Sequence, residues 1–436
     1  MFEGTRKKVF WMTDAIQHSA VRKQYEDILN IQKQEGNSLN IYLRKILEYA
    51  ICNVPFYEQI STPELHKFPV MSKITYKEQG QRCRSREYLE NKKLYIASTS
   101  GSTGTPLIVY QDANKKARMR ADLIAAHEAV GWNLGDHYIF IRNWVSNYKQ
   151  STLKNIAQNV VNISVTEFGE EKKEWLCLHL QKKTGSIIFG YASSVCDFLN
   201  YIRKKKINAR ELKVKLIICD SDELTSVNRK LLEEAFGCIV INRYDNEENG
   251  LLAISSPYKD TLMVNYPSIY VELLKLDSDE HVEPGEMGRV VVTDLFNRAM
   301  PLIRYDIGDL AISPDPAGKI RTFSSLNGRR ADCIYSTDGK IISAVAISSI
   351  TEIFDTIMRY QLIQISKTCF EFHYIGEISE RNMLELSNRL HTALGSKAEI
   401  RYIEEYNIPL EKSGKAKTIV NAVKKEKNRN GESYSI

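Results

Sequence analysis

The chain has 436 residues, more than one hydrophobic core usually supports, so at least two packed units are expected. Its 60 Lys and Arg stand against 54 Asp and Glu, a formal charge of +6 with both signs interspersed. That balance argues against a dedicated nucleic-acid binder. No apolar run approaches the roughly 18 residues of a spanning helix, and the segment from Met1 to Trp11 lacks a signal-peptide h-region, so a cytoplasmic protein without a transmembrane segment is expected. The eight cysteines are scattered and form no CxxC pair, and they read as small core residues in a reducing compartment.

In chain order, Asn40–Cys52 predicts a helix with Leu43, Ile46, Leu47 and Ala50 on one face, stopped by Val54-Pro55. Two strand-like runs, Leu94–Ala97 and Leu107–Tyr110, enclose a loop of glycine, serine and threonine. Lys115–Val130 is again helical. Strands are then expected at Tyr138–Ile141, Ser186–Phe189, Leu216–Cys219 and Cys238–Ile241, with helices at Ser193–Lys204 and Ser226–Phe236. Such alternation predicts an α/β sheet with ligands at its carboxyl edge. Leu251–Ile312 reads as β hairpins. Beyond Asn327-Gly328, strands near Leu362–Ser366, Phe370–Tyr374 and Glu399–Tyr402 and a helix over Ser379–Leu394 make a small α+β unit. The basic cluster Lys424, Lys425, Lys427 and Arg429 reads as a solvated tail.

The loop runs Ser98-Thr99-Ser100-Gly101-Ser102-Thr103-Gly104-Thr105-Pro106. Its glycines let backbone N–H groups converge and its hydroxyls add neutral donors, which suits a phosphate cradle. No Gly-Lys-Ser/Thr follows, so it is not a Walker loop. The segment resembles the signature loop of the adenylate-forming superfamily, the acyl-CoA synthetases and their relatives. Many relatives follow the proline with a lysine, whereas this chain has Leu107.

Four later segments keep the order of that family. Tyr244-Asp245-Asn246-Glu247-Glu248 resembles its aromatic–Gly–x–Thr–Glu element; the resemblance implies that Tyr244 stacks on adenine and Glu248 holds Mg²⁺, with Asp245 and Glu247 as departures. Asp309, closing Pro301–Asp309, is implied to take the ribose hydroxyls, a role suited to a carboxylate that only accepts. Gly328-Arg329-Arg330-Ala331-Asp332 is similar to the hinge element, with Arg329 reaching the nucleotide and Asp332 at the pivot. Ser413-Gly414-Lys415 is similar to the element whose lysine neutralises the α-phosphate.

The resemblance therefore implies a large N-terminal adenylate-forming domain over 1–328, with α/β subdomains plus β hairpins, and a small mobile α+β C-terminal domain over 329–436. It implies ATP-dependent formation of an acyl-adenylate, catalytic roles for Lys415 and Glu248, and nucleotide contacts from Ser98, Thr99, Ser100, Gly101, Ser102, Thr103, Gly104, Tyr244, Asp309 and Arg329. Asn53–Tyr57, Phe68–Lys73, Gly190–Ser194 and Val292–Leu295 are similar to the phenylacetate–CoA ligases and the CapK-type proteins of polysaccharide loci. Arg243–Gly250, Ala331 and Asp332–Tyr335 lean to the second group. The partners so implied are a small carboxylic acid and an acyl acceptor, either the thiol of CoA or a sugar amine or hydroxyl, with a homodimer as the family's habit. Residues between Trp132 and Tyr148 and around Cys219–Asp222 are expected to line the acid pocket. The competing reading is a catalytically silent nucleotide-binding scaffold, motivated by Leu107 and Glu247.

Overall fold

The computed structural model describes residues 3–35, 39–90, 93–98, 106–143, 152–257, 259, 261–354, 356–409 and 417–423. The chain begins with three helices, α1 (Glu3–Ile16), α2 (Ala20–Lys33) and α3 (Leu39–Asn53). The α3 helix buries Ile46, Leu47 and Ala50 against Tyr57, Phe68, Phe296 and Ile303, and Pro55 follows its end. A short strand β1 (Met71–Ser72) leads into α4 (Lys73–Gln79), whose first turn is capped by the Ser72 hydroxyl accepting from the Thr75 N–H at 3.1 Å. The strands β2 (Tyr95–Ser98) and β3 (Ile108–Gln111) pair antiparallel, with Ser98 opposite Ile108. The glycine-rich loop thus connects two paired strands. Next comes α5 (Ala113–Ala129), capped by Asp112, which accepts from the Lys115 N–H at 2.8 Å.

The middle of the chain alternates strand and helix: β4 (Tyr138–Arg142), α6 (Thr152–Gln158), β5 (Val160–Ser164), α7 (Glu170–Lys182), β6 (Ile187–Tyr191), α8 (Ala192–Lys204), β7 (Leu216–Asp220), α9 (Ser226–Phe236) and β8 (Ile239–Asn246), with α6, β5 and α7 beyond the elements expected. These five strands are parallel neighbours in the order β5-β4-β6-β7-β8. β9 (Gly250–Ser255) and β10 (Leu262–Val264) extend the sheet antiparallel. Residues of α7, α8 and α9 fill one face with Leu176, Val195, Phe198 and Leu232. The other face, with Phe189, Ile218 and Ile241, is covered from the end of α5 and by Trp132. Strands buried on both faces need near-continuous apolar runs, which is why β4, β6, β7 and β8 were legible.

A second sheet holds β11 (Ile269–Leu274), β12 (Met287–Asp294) and β13 (Tyr305–Ile312), with β1 parallel to β13 and β15 (Ser325–Arg329) antiparallel to it. β14 (Thr322–Phe323) joins the first sheet beside β10. Arg304, at φ 47°, is held in the left-handed region by a buried two-pronged pair with Glu272 (3.0 and 3.1 Å) and by the Phe68 carbonyl (3.1 Å). This fixes the start of β13, and so where Tyr305 and Asp309 fall.

Past Arg329 the chain enters a further packed unit: β16 (Ile334–Tyr335), β17 (Ile341–Ile342), α10 (Ala344–Thr351), β18 (Ile357–Gln364), β19 (Cys369–Gly376), α11 (Glu380–Leu394), β20 (Glu399–Glu404) and β21 (Ile419–Asn421). Its sheet order is β20-β19-β18-β21, and Leu362, Phe370, Phe372, Leu386 and Leu390 form its own core. The cysteines divide. Cys83, Cys177, Cys219 and Cys333 are buried as expected, Cys196, Cys238 and Cys369 are half-buried, and Cys52 is exposed on α3.

Candidate active site

The β8–β9 hairpin supplies the first two side chains. A register shift between Tyr244 and Asp245 breaks the ladder, and the Asn249 N–H donates to Asn246 Oδ1 at 2.7 Å to close the turn. The turn is tied from below. Gln111 Nε2 at the end of β3 donates to the Glu248 carbonyl (2.9 Å), and Lys115 Nζ donates to the Asn249 carbonyl (2.7 Å). Lys115 is also paired with Asp294 Oδ2 at 2.6 Å, and neither side chain is exposed. The strand that leaves the glycine-rich loop therefore also holds the Glu248 turn.

The Glu248 carboxylate is buried and accepts from the Tyr305 hydroxyl at 3.1 Å. Burial raises its pKa, while the Tyr305 hydrogen bond and the nearby Lys73 ammonium oppose that rise. Lys73, the first residue of α4, is itself pushed down by burial; Glu248 draws it up and Arg329 pushes it further down. A buried carboxylate with few positive neighbours is suited to a hard divalent cation.

Asp309 lies four residues beyond Tyr305 on β13, behind Gly308 at φ +86°. It is a strand residue beside a register shift. Its Oδ2 accepts from the Tyr244 hydroxyl at 2.6 Å, and Arg329 Nε on the adjoining strand lies 4.0 Å from Oδ1. Burial raises the Asp309 pKa, against the pull of Tyr244 and Arg329. The Tyr244 phenol is pushed well above its ordinary value by burial and by Asp309. Its ring meets Phe323 edge-on, with centroids 6.4 Å apart. Three residues past Arg329, Asp332 Oδ1 pairs with Lys417 Nζ at 2.6 Å.

The structure thus brings Tyr244, Glu248, Asp309 and Arg329 to one region, while Ser98 ends β2 opposite Ile108. Thr99, Ser100, Gly101, Ser102, Thr103, Gly104 and Lys415, with the tail from Lys424, lie outside the described residues. Glu247 is exposed at the turn, and Leu107 is buried among Met71, Tyr76 and Val109. Sequence reading missed Lys73, Tyr305, Gln111 and Lys115. Lys73 and Tyr305 had a signal, as members of the segments Phe68–Lys73 and Pro301–Asp309. Among the described residues, no group of three or more His, Cys, Asp or Glu is arranged to hold a metal.

The chain superposes on a 2-hydroxyisobutyryl-CoA ligase in its postadenylation state with a TM-score of 0.70 and 16% identity, covering 91% of this chain and 92% of that one. Against the same ligase in its thioesterification state the TM-score is 0.52 with 18% identity, at 91% and 92% coverage. The chain shares the fold of this ligase. Residues 334–422 match the family model of the CapK C-terminal domain. The chain is 21% identical over 420 residues to Protein CapK of Staphylococcus aureus, spanning 92% of this chain and 91% of that protein. It is 24% identical over 328 residues to a phenylacetate-coenzyme A ligase of Pseudomonas putida, spanning 67% and 70%.

Proposed function

We propose that the protein is an adenylate-forming ligase that activates a carboxylic acid with ATP. A carboxylate oxygen attacks the α-phosphorus, the bond to the bridging oxygen breaks, and pyrophosphate leaves with that electron pair. The acyl group then passes from the mixed anhydride to a nucleophile, and AMP departs. The single observation that carries this reading is the meeting of Tyr244, Glu248, Asp309 and Arg329 beside the strands that flank the glycine-rich loop.

Each described residue has a role that its surroundings allow. Tyr244 offers a ring for adenine, and Asp309 offers acceptor oxygens to the ribose hydroxyls, one of them now satisfied by Tyr244. Glu248 would hold Mg²⁺, which neutralises phosphate charge. Arg329, more than half exposed, can reach a phosphate or ribose. Leu107 leaves no cation where many relatives have one, and Lys73 beside Glu248 is placed to compensate. Lys415 is assigned to the α-phosphate, where a cation in a dry site is worth a few kcal/mol. The names of the relatives favour CoA as acceptor. Among the described residues, no helix is long and apolar enough to cross a membrane.

The higher TM-score with the postadenylation form supports a C-terminal unit disposed for the first half-reaction. Leaving that arrangement would need rotation near Asp332, which Lys417 now holds. Asp332→Pro is expected to slow acyl transfer at least about tenfold more than adenylation, because a fixed φ resists rotation. Single-turnover rates of the two half-reactions check this; equal losses would remove the hinge from Asp332. The test of the function itself is acid-dependent exchange of pyrophosphate into ATP. A silent scaffold would bind nucleotide and show no exchange with any acid.

A further inference from the structure

The face of the parallel sheet opposite Tyr244 carries a second polar arrangement that the nucleotide does not use. Register pairs Tyr191 with Asp220 and Asp220 with Arg243, so these three side chains share one face at the carboxyl ends of β6, β7 and β8. Arg142 ends β4 on the same face, two residues past Phe140. One row deeper the surface turns aromatic: Phe140 and Phe189 pack with centroids 4.4 Å apart, and the Arg243 guanidinium lies 4.2 Å over the Phe189 ring. His127 and Trp132 close the far side, 5.7 Å from each other.

Three polar atoms on this patch have no hydrogen-bond partner among the described residues: Asp220 Oδ1, Arg243 Nε and His127 Nε2. The first two belong to side chains that are 5% and 9% exposed. Arg243 uses its Nη2 on Asp220 Oδ2 (3.0 Å) and Asp245 (2.8 Å), which leaves Nε–H and the second Asp220 oxygen open. Asp222 is otherwise engaged, accepting from the Ala192 and Ser193 N–H groups at the start of α8. Buried groups left open in this way are costly, and a ligand that pairs them recovers the loss.

We propose that this patch is the acyl-recognition surface and selects a carboxylic acid bearing a hydroxyl group, with Asp220 and Arg243 as specificity residues. The inference rests on the adenylation reading and deepens it. A hydroxyl is the smallest neutral group that meets both needs with a single atom, giving its proton to Asp220 Oδ1 and accepting from Arg243 Nε–H. An ammonium would sit between the guanidinium groups of Arg243 and Arg142, and a second carboxylate would face Asp220 and Asp245. The rings of Phe140 and Phe189 take the carbon skeleton. Burial lowers the His127 pKa to about 3, so a neutral imidazole borders the site and adds no charge at pH 7.

The test is acid-dependent pyrophosphate exchange by the full chain across matched sets: lactate, propionate and alanine; 3-hydroxybutyrate, butyrate and 3-aminobutyrate; 4-hydroxyphenylacetate and phenylacetate. In the best set, the hydroxy acid is expected to exceed its deoxy partner by about 10- to 100-fold in kcat/KM, the cost of leaving buried groups unpaired. The near-isosteric Asp220→Asn is expected to shrink that ratio to within about threefold. The wild-type ratio needs no variant to fold. Preference for the deoxy or aminated acid, or an unchanged ratio in Asp220→Asn, would overturn this inference and leave adenylation standing. No exchange with any acid would overturn both.

Discussion

Asp309→Ala is expected to raise the KM for ATP in the adenylation half-reaction by at least about a hundredfold. The Asp309 carboxylate is held on a strand by its neighbours, Tyr244 at 2.6 Å and Arg329 at 4.0 Å, and is only a quarter exposed. Two ribose hydroxyls donating to one anion are each worth about 1.5–3 kcal/mol, and a factor of ten is about 1.4 kcal/mol. Asp309→Asn keeps the shape and some acceptor capacity, so its loss should be smaller. Steady-state exchange at varied ATP checks both, with melting curves to show that the fold survives. A KM for ATP within threefold of wild type in Asp309→Ala would remove Asp309 from the nucleotide site.

The second large effect is on stability. Lys115 and Asp294 pair at 2.6 Å with no exposure, and Asp294 Oδ1 also accepts the N–H groups of Phe296 (2.9 Å) and Asn297 (3.1 Å). Lys115→Met leaves a buried anion without its cation, which costs about 3–5 kcal/mol. It also frees the Asn249 carbonyl, and with it the turn that presents Glu248. A fall in Tm of roughly 10 °C is expected, since about 1 kcal/mol shifts a domain of 150–250 residues by 2–4 °C. Adding Asp294→Asn, which removes the anion but keeps an acceptor, should restore part of that loss. Thermal unfolding followed by circular dichroism checks this; a shift under about 2 °C for Lys115→Met would mean that the pair does not anchor the turn.

How much of this was legible from the sequence depends on how far each residue's role is set by its neighbours along the chain. β4, β6, β7 and β8 announced themselves as short apolar runs between helices, and α9 was read over its full extent, Ser226–Phe236. The proposed site residues Tyr244, Asp309 and Arg329 were singled out because each sits in a short motif whose order resembles a known pattern. Their meeting, with Tyr244 bonded to Asp309, could not be read, because it depends on which strands pair. Lys115 and Arg118 were hidden for the opposite reason. They fall in Asn114-Lys115-Lys116-Ala117-Arg118-Met119-Arg120, a run that looks like a solvated helix face. Yet Arg118 is fully buried, donating to Ser268 Oγ and to the Pro267 carbonyl, each at 2.7 Å, and lying 3.8 Å over Phe296. Charge is buried only where tertiary partners meet it, and those partners lie about 150 residues away. The strand Val160–Ser164 was missed because a five-residue run with Asn162 inside it carries little periodic signal.

The patch around Asp220 was half legible. Cys219–Asp222 was expected near the acid pocket, but Asp220 and Arg243 are 23 positions apart, and only the parallel register sets them side by side. Nothing local distinguishes them from an ordinary surface ion pair.

Whether this chain makes an acyl-adenylate is tested most directly by incorporation of labelled pyrophosphate into ATP with Mg²⁺ across a panel of carboxylic acids, with Lys415→Ala alongside. Exchange is expected to depend on one acid or a few related acids and to fall at least about a hundredfold in Lys415→Ala, the loss of one cation at a developing oxyanion. Measurable ATP binding without exchange for any acid would contradict it, as would exchange that Lys415→Ala leaves unchanged.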